Sequence, residues 1–221
     1  MNATMKSTLY GYWRSSSAWR VRIALNFKDV PYEYVAVHLL EDGGQQHGEE
    51  FRVKNPMRQV PLLEIRDGAE TIRLAQSVAI IEYLERRFPE PSLIPEDLVL
   101  AAKARQLAEM VNAGIQPLQN LRVLQDIVAL GGDKVEWGKK WIENGFAALE
   151  AEAEPLATRF LMGDRVTIAD IFLVPQMYNA RRFGVDLGSF PTLARCARAC
   201  EELPPFAAAH PDKQPDAVKA P

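Results

Sequence analysis

The chain is poor in the residues that build metal centres and disulfides: it has two cysteines, Cys196 and Cys200, and three histidines, His38, His47 and His210. The cysteines fall four apart on a helix-like segment, where both thiols share one face and a disulfide between them is awkward. They read as reduced, partly buried structural thiols. The histidines are scattered without ligand spacing, so no metal site is expected. A glycine-rich phosphate loop and internal repeats are also missing. No apolar run is long enough to span a bilayer, and the polar start at residues 1–7 lacks the apolar centre of a signal peptide, so the chain is expected in the cytoplasm and off the membrane. With a net charge of −3 it has no concentrated basic face, which argues against nucleic acid as the main partner.

What is present is enough apolar surface for a substantial core, at 48% hydrophobic residues over 221 positions, and a change of pattern near residue 90. Before it, strand-like and helix-like segments alternate: strand 8–12, an amphipathic helix 18–27, strand 32–37 and helix 49–54. Strands 62–66 and 71–74 follow as a hairpin around Asp67-Gly68, then helix 77–88. This is a βαβ unit followed by ββα. After the proline-rich stretch Pro89, Pro91 and Pro95, apolar residues recur at helical spacing over 98–116, 137–157, 168–183 and 193–202. Two domains are expected: an α/β unit over residues 1–88, a linker over 89–97, and an all-α unit over 98–221.

Three places carry chemistry. Ser15, Ser16 and Ser17 stand where the first strand gives way to the first helix, and a helix start offers unsatisfied N–H groups and a positive dipole end to a thiolate or other anion. Arg14, Arg20 and Arg22 add cations nearby. The same serines also suit a plain N-cap. Pro61 opens the third strand, where proline is poorly tolerated, and a cis bond there would turn Val60 outward to pair with a peptide ligand as an added strand; an ordinary loop proline is the alternative. Gln76-Ser77 opens the next helix, suited to a carboxylate or to simple capping. Thr167-Ile168-Ala169-Asp170 has the spacing of a capping box and is assigned to folding.

A thiolate anchor, a peptide anchor and a carboxylate anchor together describe glutathione. At these residues the chain closely resembles the zeta class of glutathione transferases. The likeness runs through Ser15 to Leu25, through Asn55-Pro56-Met57-Arg58-Gln59-Val60-Pro61 and through Gln76 to Leu84. It continues in Gly114-Ile115-Gln116-Pro117-Leu118-Gln119-Asn120 and Leu173-Val174-Pro175-Gln176. The resemblance implies a thioredoxin-like domain followed by a helical-bundle domain, a homodimer, and glutathione as cofactor with no metal. It implies glutathione contacts from Ser15, Ser16, Ser17, Ala18, Trp19 and Arg20 around the sulfur, from Gln46 and Val60 to the peptide, and from Gln76 and Ser77 to the γ-glutamyl end. Gln116, Asn120, Leu121 and Arg122 would come from the helical domain. Ser15, Ser16, Ser17 and Arg20 would serve catalysis, and Arg14 and Arg182 would meet substrate carboxylates.

The implied activity is glutathione-dependent cis–trans isomerisation of maleylacetoacetate to fumarylacetoacetate in tyrosine and phenylalanine degradation. Maleylpyruvate isomerisation, general glutathione conjugation and a noncatalytic carrier or interaction module of the same fold are the rivals. One departure stands out. The zeta pattern reads Ser-Ser-Cys, and here Ser17 takes the cysteine's place, which leaves glutathione to supply its own sulfur.

Overall fold

The computed structural model describes residues 5–218; the outer ends of the two expected domains, residues 1–4 and 219–221, lie outside them. The chain divides into two compact units, one reaching to Pro91 and taking in the segment from Pro204 onward, the other Ser92–Leu203. The expected helical domain over 98–221 is therefore corrected at both ends.

In the first unit, strand β1 (Lys6–Gly11) leads into helix α1 (Ser16–Phe27) and strand β2 (Glu33–Ala36). Helix α2 (Glu49–Lys54), strands β3 (Leu62–Asp67) and β4 (Glu70–Ala75) and helix α3 (Ser77–Arg87) follow. The sheet order is β2-β1-β3-β4. β1 and β2 are parallel with Leu9 opposite Tyr34, while β1 with β3 and β3 with β4 are antiparallel. The βαβ and ββα halves form as the alternation predicts, and the hairpin turns through Gly68 at φ +61°, a left-handed value that glycine adopts without steric cost.

Leu9, Leu63 and Ile65 of the sheet are buried together with Val21, Ala24 and Leu25 of α1 and Ile80, Ile81 and Leu84 of α3. Removing this apolar surface from water, at about 25 cal/mol per Å², is what holds the layers together. A Cβ on Gly11 would lie 3.0 Å from the Tyr34 ring and 3.3 Å from Ala18, tighter than ordinary packing, so a side chain there would press on both β2 and α1.

Helix α1 departs from the amphipathic expectation. Every residue from Ala18 to Leu25 is buried, Arg20 and Arg22 included. The reason is a helix that the periodicity did not announce, α9 (Pro204–Ala209). Asn26 Nδ2 donates to the Pro205 carbonyl at 3.1 Å, Arg22 Nε donates to the Ala209 carbonyl at 3.1 Å, and Trp19 meets His210 edge-on at 5.3 Å. The C-terminal segment covers the flank of α1 that the sheet leaves open.

The second unit is helical: α4 (Leu98–Glu109), α5 (Leu121–Ala129), α6 (Lys134–Ala153), α7 (Ile168–Arg182) and α8 (Pro191–Glu201). The single helix expected over 98–116 leaves α geometry after Glu109, passing through a π-helical turn at Met110–Ile115 and a 3-10 turn at Gln116–Gln119. Gly114 is a weak helix former and Pro117 lacks an N–H, so the backbone there has little reason to stay α. Helix α5, which the sequence reading does not include, has a one-sided apolar stripe with Leu121, Leu124 and Ile127 half-buried and no residue fully buried. Phe172, Leu173 and Met177 of α7 are fully buried, and the capping box at Thr167 and Asp170 forms as expected. Cys196 and Cys200 are both free and buried.

Candidate active site

Ser15 is the N-cap of α1, with extended backbone at φ −67°, ψ 115°, and its Oγ accepts the Ala18 N–H at 3.2 Å. Capping uses a lone pair of the hydroxyl and leaves its proton for an acceptor outside the helix. Ser16, buried, and Ser17, half-buried, are the first two helical residues. The first turn of α1 contains no acidic side chain, so the positive end of the dipole has no internal counter-charge.

The three arginines counted beside this turn go different ways. Arg14 is half-buried, with its guanidinium 5.3 Å from the Trp13 ring centre. Arg22 turns back to the loop, where Nη2 donates to the Trp13 carbonyl at 2.9 Å and Nη1 to the Tyr12 carbonyl at 3.5 Å. Burial lowers its pKa to about 10, which still leaves it charged at neutral pH. Arg20 is fully buried, and its Nη1 donates to Ser77 Oγ at 3.3 Å. Thus the structure brings Arg20 to Ser77, linking the starts of α1 and α3.

At α3, Gln76 takes φ +70°, ψ 119°, a region costly for a residue with a Cβ. Ser77 is buried as the first helical residue, and this first turn is also free of acid. The Val60-Pro61 bond is cis, the first of the two readings open for that proline. Among the described residues no protein group hydrogen-bonds to the Val60 backbone, and β3 begins two residues later. Gln46 is buried in a 3-10 turn, Gln45–His47. Its Nε2 donates to the Leu39 carbonyl at 3.4 Å while its Oε1 has no protein partner. Ala18 and Trp19 are buried in the unit's interior.

The remaining expected contacts belong to the second unit. Gln116 follows directly on the π-helical turn, a distortion that recurs at functional sites. Asn120 is the N-cap of α5, its Oδ1 accepting the Arg122 N–H at 3.4 Å; Leu121 is half-buried and Arg122 exposed. Arg182 is exposed in the last turn of α7, where a cation suits the dipole.

Two arrangements escaped the sequence reading. Gln119 and Gln176 are both buried and joined by a 2.6 Å bond from Nε2 to Oε1, a pairing that their separate motifs do not announce. Asp216, to which the sequence reading assigns no role, accepts the Trp13 N–H at 2.9 Å and the Tyr34 hydroxyl at 3.3 Å. No local signal marks a contact across two hundred residues. Among the described residues no cluster of His, Cys, Asp or Glu is arranged to hold a metal ion, and no helix is long and apolar enough to cross a membrane.

Family models of the glutathione S-transferase N-terminal and C-terminal domains match residues 9–92 and 134–204. The chain is 46% identical to the maleylacetoacetate isomerase of Rattus norvegicus, over 96% of this chain and 95% of that one. It is equally 46% identical to a zeta-class glutathione S-transferase of Euphorbia esula, over 96% and 93%. Among solved structures it is similar to a maleylacetoacetate isomerase of Anaeromyxobacter dehalogenans with glutathione bound in the active site, at TM-score 0.90, 51% identity and coverage of 99% and 100%. A zeta-class bacterial maleylpyruvate isomerase aligns at TM-score 0.88 and 41% identity over 96% and 100%.

Proposed function

The chain belongs to the glutathione S-transferase family, in its zeta class, and from that premise we propose that it isomerises maleylacetoacetate to fumarylacetoacetate with glutathione as cofactor. The observation that carries the reading is the hydrogen bond from Arg20 to Ser77, because it ties together two helix starts, both without acid, one suited to a thiolate and the other to a carboxylate.

The residues fit glutathione, a tripeptide with its thiol on the central cysteine, an α-carboxylate at the γ-glutamyl end and a second carboxylate at the glycyl end. Val60 has a backbone left for a peptide, and the buried Gln46 has an Oε1 without a protein partner, a polar atom that burial makes costly unless a ligand or solvent meets it. When bound, glutathione supplies a thiolate whose addition to the cis carbon–carbon double bond leaves a single bond that rotates before the thiolate departs unchanged. The Ser15 hydroxyl, fixed by its bond to Ala18 N–H, donates to the sulfur, and Ser16 shares that task. The open N–H groups of α1 favour negative charge as it shifts during the reaction, and a well-placed donor of this kind is worth about 3 kcal/mol. Ser77 and Gln76 take the γ-glutamyl end, with Gln116 and residues 120–122 assigned to the substrate side. Arg14 and Arg182 are assigned to substrate carboxylates.

A homodimer is part of this proposal, supported by the apolar start of α4, where Leu98 is 85% and Val99 68% exposed, more than an isolated helix end ordinarily leaves to water. A cytoplasmic setting is supported by the two free, buried cysteines and by the need for reduced glutathione.

The test is turnover of maleylacetoacetate and maleylpyruvate, each with and without glutathione. Isomerisation of maleylacetoacetate that needs glutathione and leaves the free-thiol concentration constant is the expected result. Undiminished turnover without glutathione overturns the mechanism, stoichiometric loss of thiol makes the protein a conjugating transferase, and faster turnover of maleylpyruvate changes the substrate.

A further inference from the structure

The turn that presents Ser15 is held from behind by residues with no part in binding. Its backbone groups are accounted for one by one. The Tyr12 carbonyl accepts the Ser15 N–H at 2.9 Å and Arg22 Nη1 at 3.5 Å, and the Trp13 carbonyl accepts Arg22 Nη2 at 2.9 Å. The Trp13 N–H donates to Asp216 Oδ2 at 2.9 Å, and the same oxygen accepts the Tyr34 hydroxyl at 3.3 Å. Arg22 is in turn anchored on the Ala209 carbonyl at 3.1 Å, at the end of α9. The segment after residue 204 thus grips the turn at two points, through Arg22 and through Asp216, while lying outside both domain matches.

We propose that the C-terminal segment from α9 to Asp216 is a clasp that sets the geometry of turn 12–15, with Asp216 a positioning residue for thiol activation. The inference rests on the glutathione reading above. Asp216 is the natural point of control because its contact is with the turn's own N–H, two residues before the capping serine. A carboxylate accepting from a backbone N–H makes a charge-assisted bond stronger than a neutral one. Its Oδ1 is buried without a protein partner, and the nearby charged Arg22 compensates the carboxylate. Burial raises the Tyr34 hydroxyl above the usual tyrosine range, so it remains a donor to Asp216 at every pH at which the enzyme is assayed.

The experiment uses the full chain and compares wild type with Asp216→Ala, Asp216→Asn, Tyr34→Phe and the control Asp212→Ala, which alters an exposed carboxylate of the same segment. Each variant is assayed for kcat, for KM of glutathione, for melting temperature and for the pH midpoint of the bound thiolate's absorbance. Asp216→Ala is expected to lower kcat about tenfold, since small misplacements of a reacting group are costly, and to raise the bound thiol's pKa by about one unit. KM for glutathione should stay within about threefold, because the Val60 and Ser77 anchors remain. Asp216→Asn retains an oxygen acceptor for Trp13 N–H and should restore most of the rate; Tyr34→Phe should shift rate and midpoint in the same direction by about twofold to threefold. Should Asp216→Ala fail to fold, the asparagine and phenylalanine variants decide. A lowered melting temperature with kcat and thiol midpoint unchanged in the folded variants overturns the proposal and leaves the segment a structural anchor. A wild-type protein without a glutathione-dependent thiolate band overturns the glutathione reading itself, a distinct failure.

Discussion

Helices α4, α6 and α7 of the second unit begin differently from α1 and α3 of the first. In the second unit α4 opens at Asp97, whose carboxylate accepts Val99 and Leu100 N–H groups at 2.9 Å, and α6 opens at Asp133, which accepts those of Val135 and Glu136 at 2.6 and 3.2 Å. α7 goes further, for the buried Asp170 takes the N–H groups of Thr167 at 2.8 Å and Leu161 at 2.9 Å. These helices carry their own anions. In the first unit α1 and α3 open at Ser15 and Gln76, with no acid in either first turn. The lesson is that the Ser15 hydroxyl caps α1 without neutralising its dipole, while Gln76 makes no side-chain cap on α3, so both helix starts are left able to favour an anion brought by a ligand. A carboxylate in the same place would stabilise the fold and close the site.

The largest effect is expected where a helix start is most completely closed. Asp170→Ala strips two buried backbone N–H groups of their acceptor, and the loss should be about 3 kcal/mol or more in urea unfolding. The same residue has a pH signature. Burial raises the pKa of Asp170 to about 6, against 3.8 for an exposed aspartate. Because the folded state holds this proton more tightly than the unfolded state, the stabilising contribution is full below about pH 4 and is lost as pH rises through about 6. Asp170→Asn should therefore be most costly at pH 4, with a penalty that shrinks by about 3 kcal/mol towards pH 7. Parallel pH profiles for the two proteins would show that Asp170 does not titrate in this window.

At the open end the corresponding loss is of rate. Replacing both Ser15 and Ser16 by alanine should reduce turnover about 100-fold and raise the bound thiol's pKa, with glutathione affinity little changed. Ser15→Ala alone also removes the cap on Ala18 N–H and should cost about 1 kcal/mol of stability. An unshifted thiol pKa in the double variant would assign activation of the sulfur to the helix dipole instead of to the hydroxyls.

The comparison can also be broken directly by giving α1 what α4, α6 and α7 have. Ser17→Asp places a carboxylate in an acid-free first turn and should stabilise the protein by about 0.3 to 1 kcal/mol. Turnover should fall about tenfold as the thiolate loses its advantage over water. A variant equally stable and equally active would show that the dipole contributes neither to folding nor to the site.

Much of this was legible in the sequence, and the parts that were not have a common cause. Strand alternation, the Asp67-Gly68 hairpin, the Ser15 cap, the Thr167–Asp170 box and the proline before β3 are local patterns, set within a few residues by backbone chemistry. The roles of Arg20 and Arg22 were not local. Both sit in a helix that reads as amphipathic, and only α9, nearly two hundred positions away, makes it buried on every side and sends Arg22 to the loop carbonyls. The break after Glu109 was hidden because a π-helical turn keeps apolar spacing close to that of an α-helix. The short α5 is different, since Leu121, Leu124 and Val128 recur along it at helical spacing and that local signal was there to be read. Asp216 had no signature at all, since its partners Trp13 and Tyr34 are joined to it by folding alone.

The smallest effect concerns the residue at which this chain leaves its class. Ser17 is half-buried at the second helical position of α1, where the zeta pattern has cysteine. If glutathione supplies the reacting sulfur, Ser17→Cys should change isomerisation by no more than about twofold, because neither side chain carries a step. Its reactivity should change far more. A thiol at an acid-free helix start is held below its usual pKa, whereas in the native chain burial pushes Cys196 up to about 11 and Cys200 higher still. Iodoacetamide at neutral pH should accordingly label the variant quickly at one position and wild type hardly at all, and glutathione should protect the variant. A tenfold rise in turnover on restoring the cysteine would mean that the protein's own thiol takes part in the reaction and that this chain runs a weakened version of it. Unchanged turnover with fast, glutathione-protected labelling would show the opposite: the serine gives up nothing in catalysis and removes a reactive thiol at which an electrophilic substrate could inactivate the enzyme.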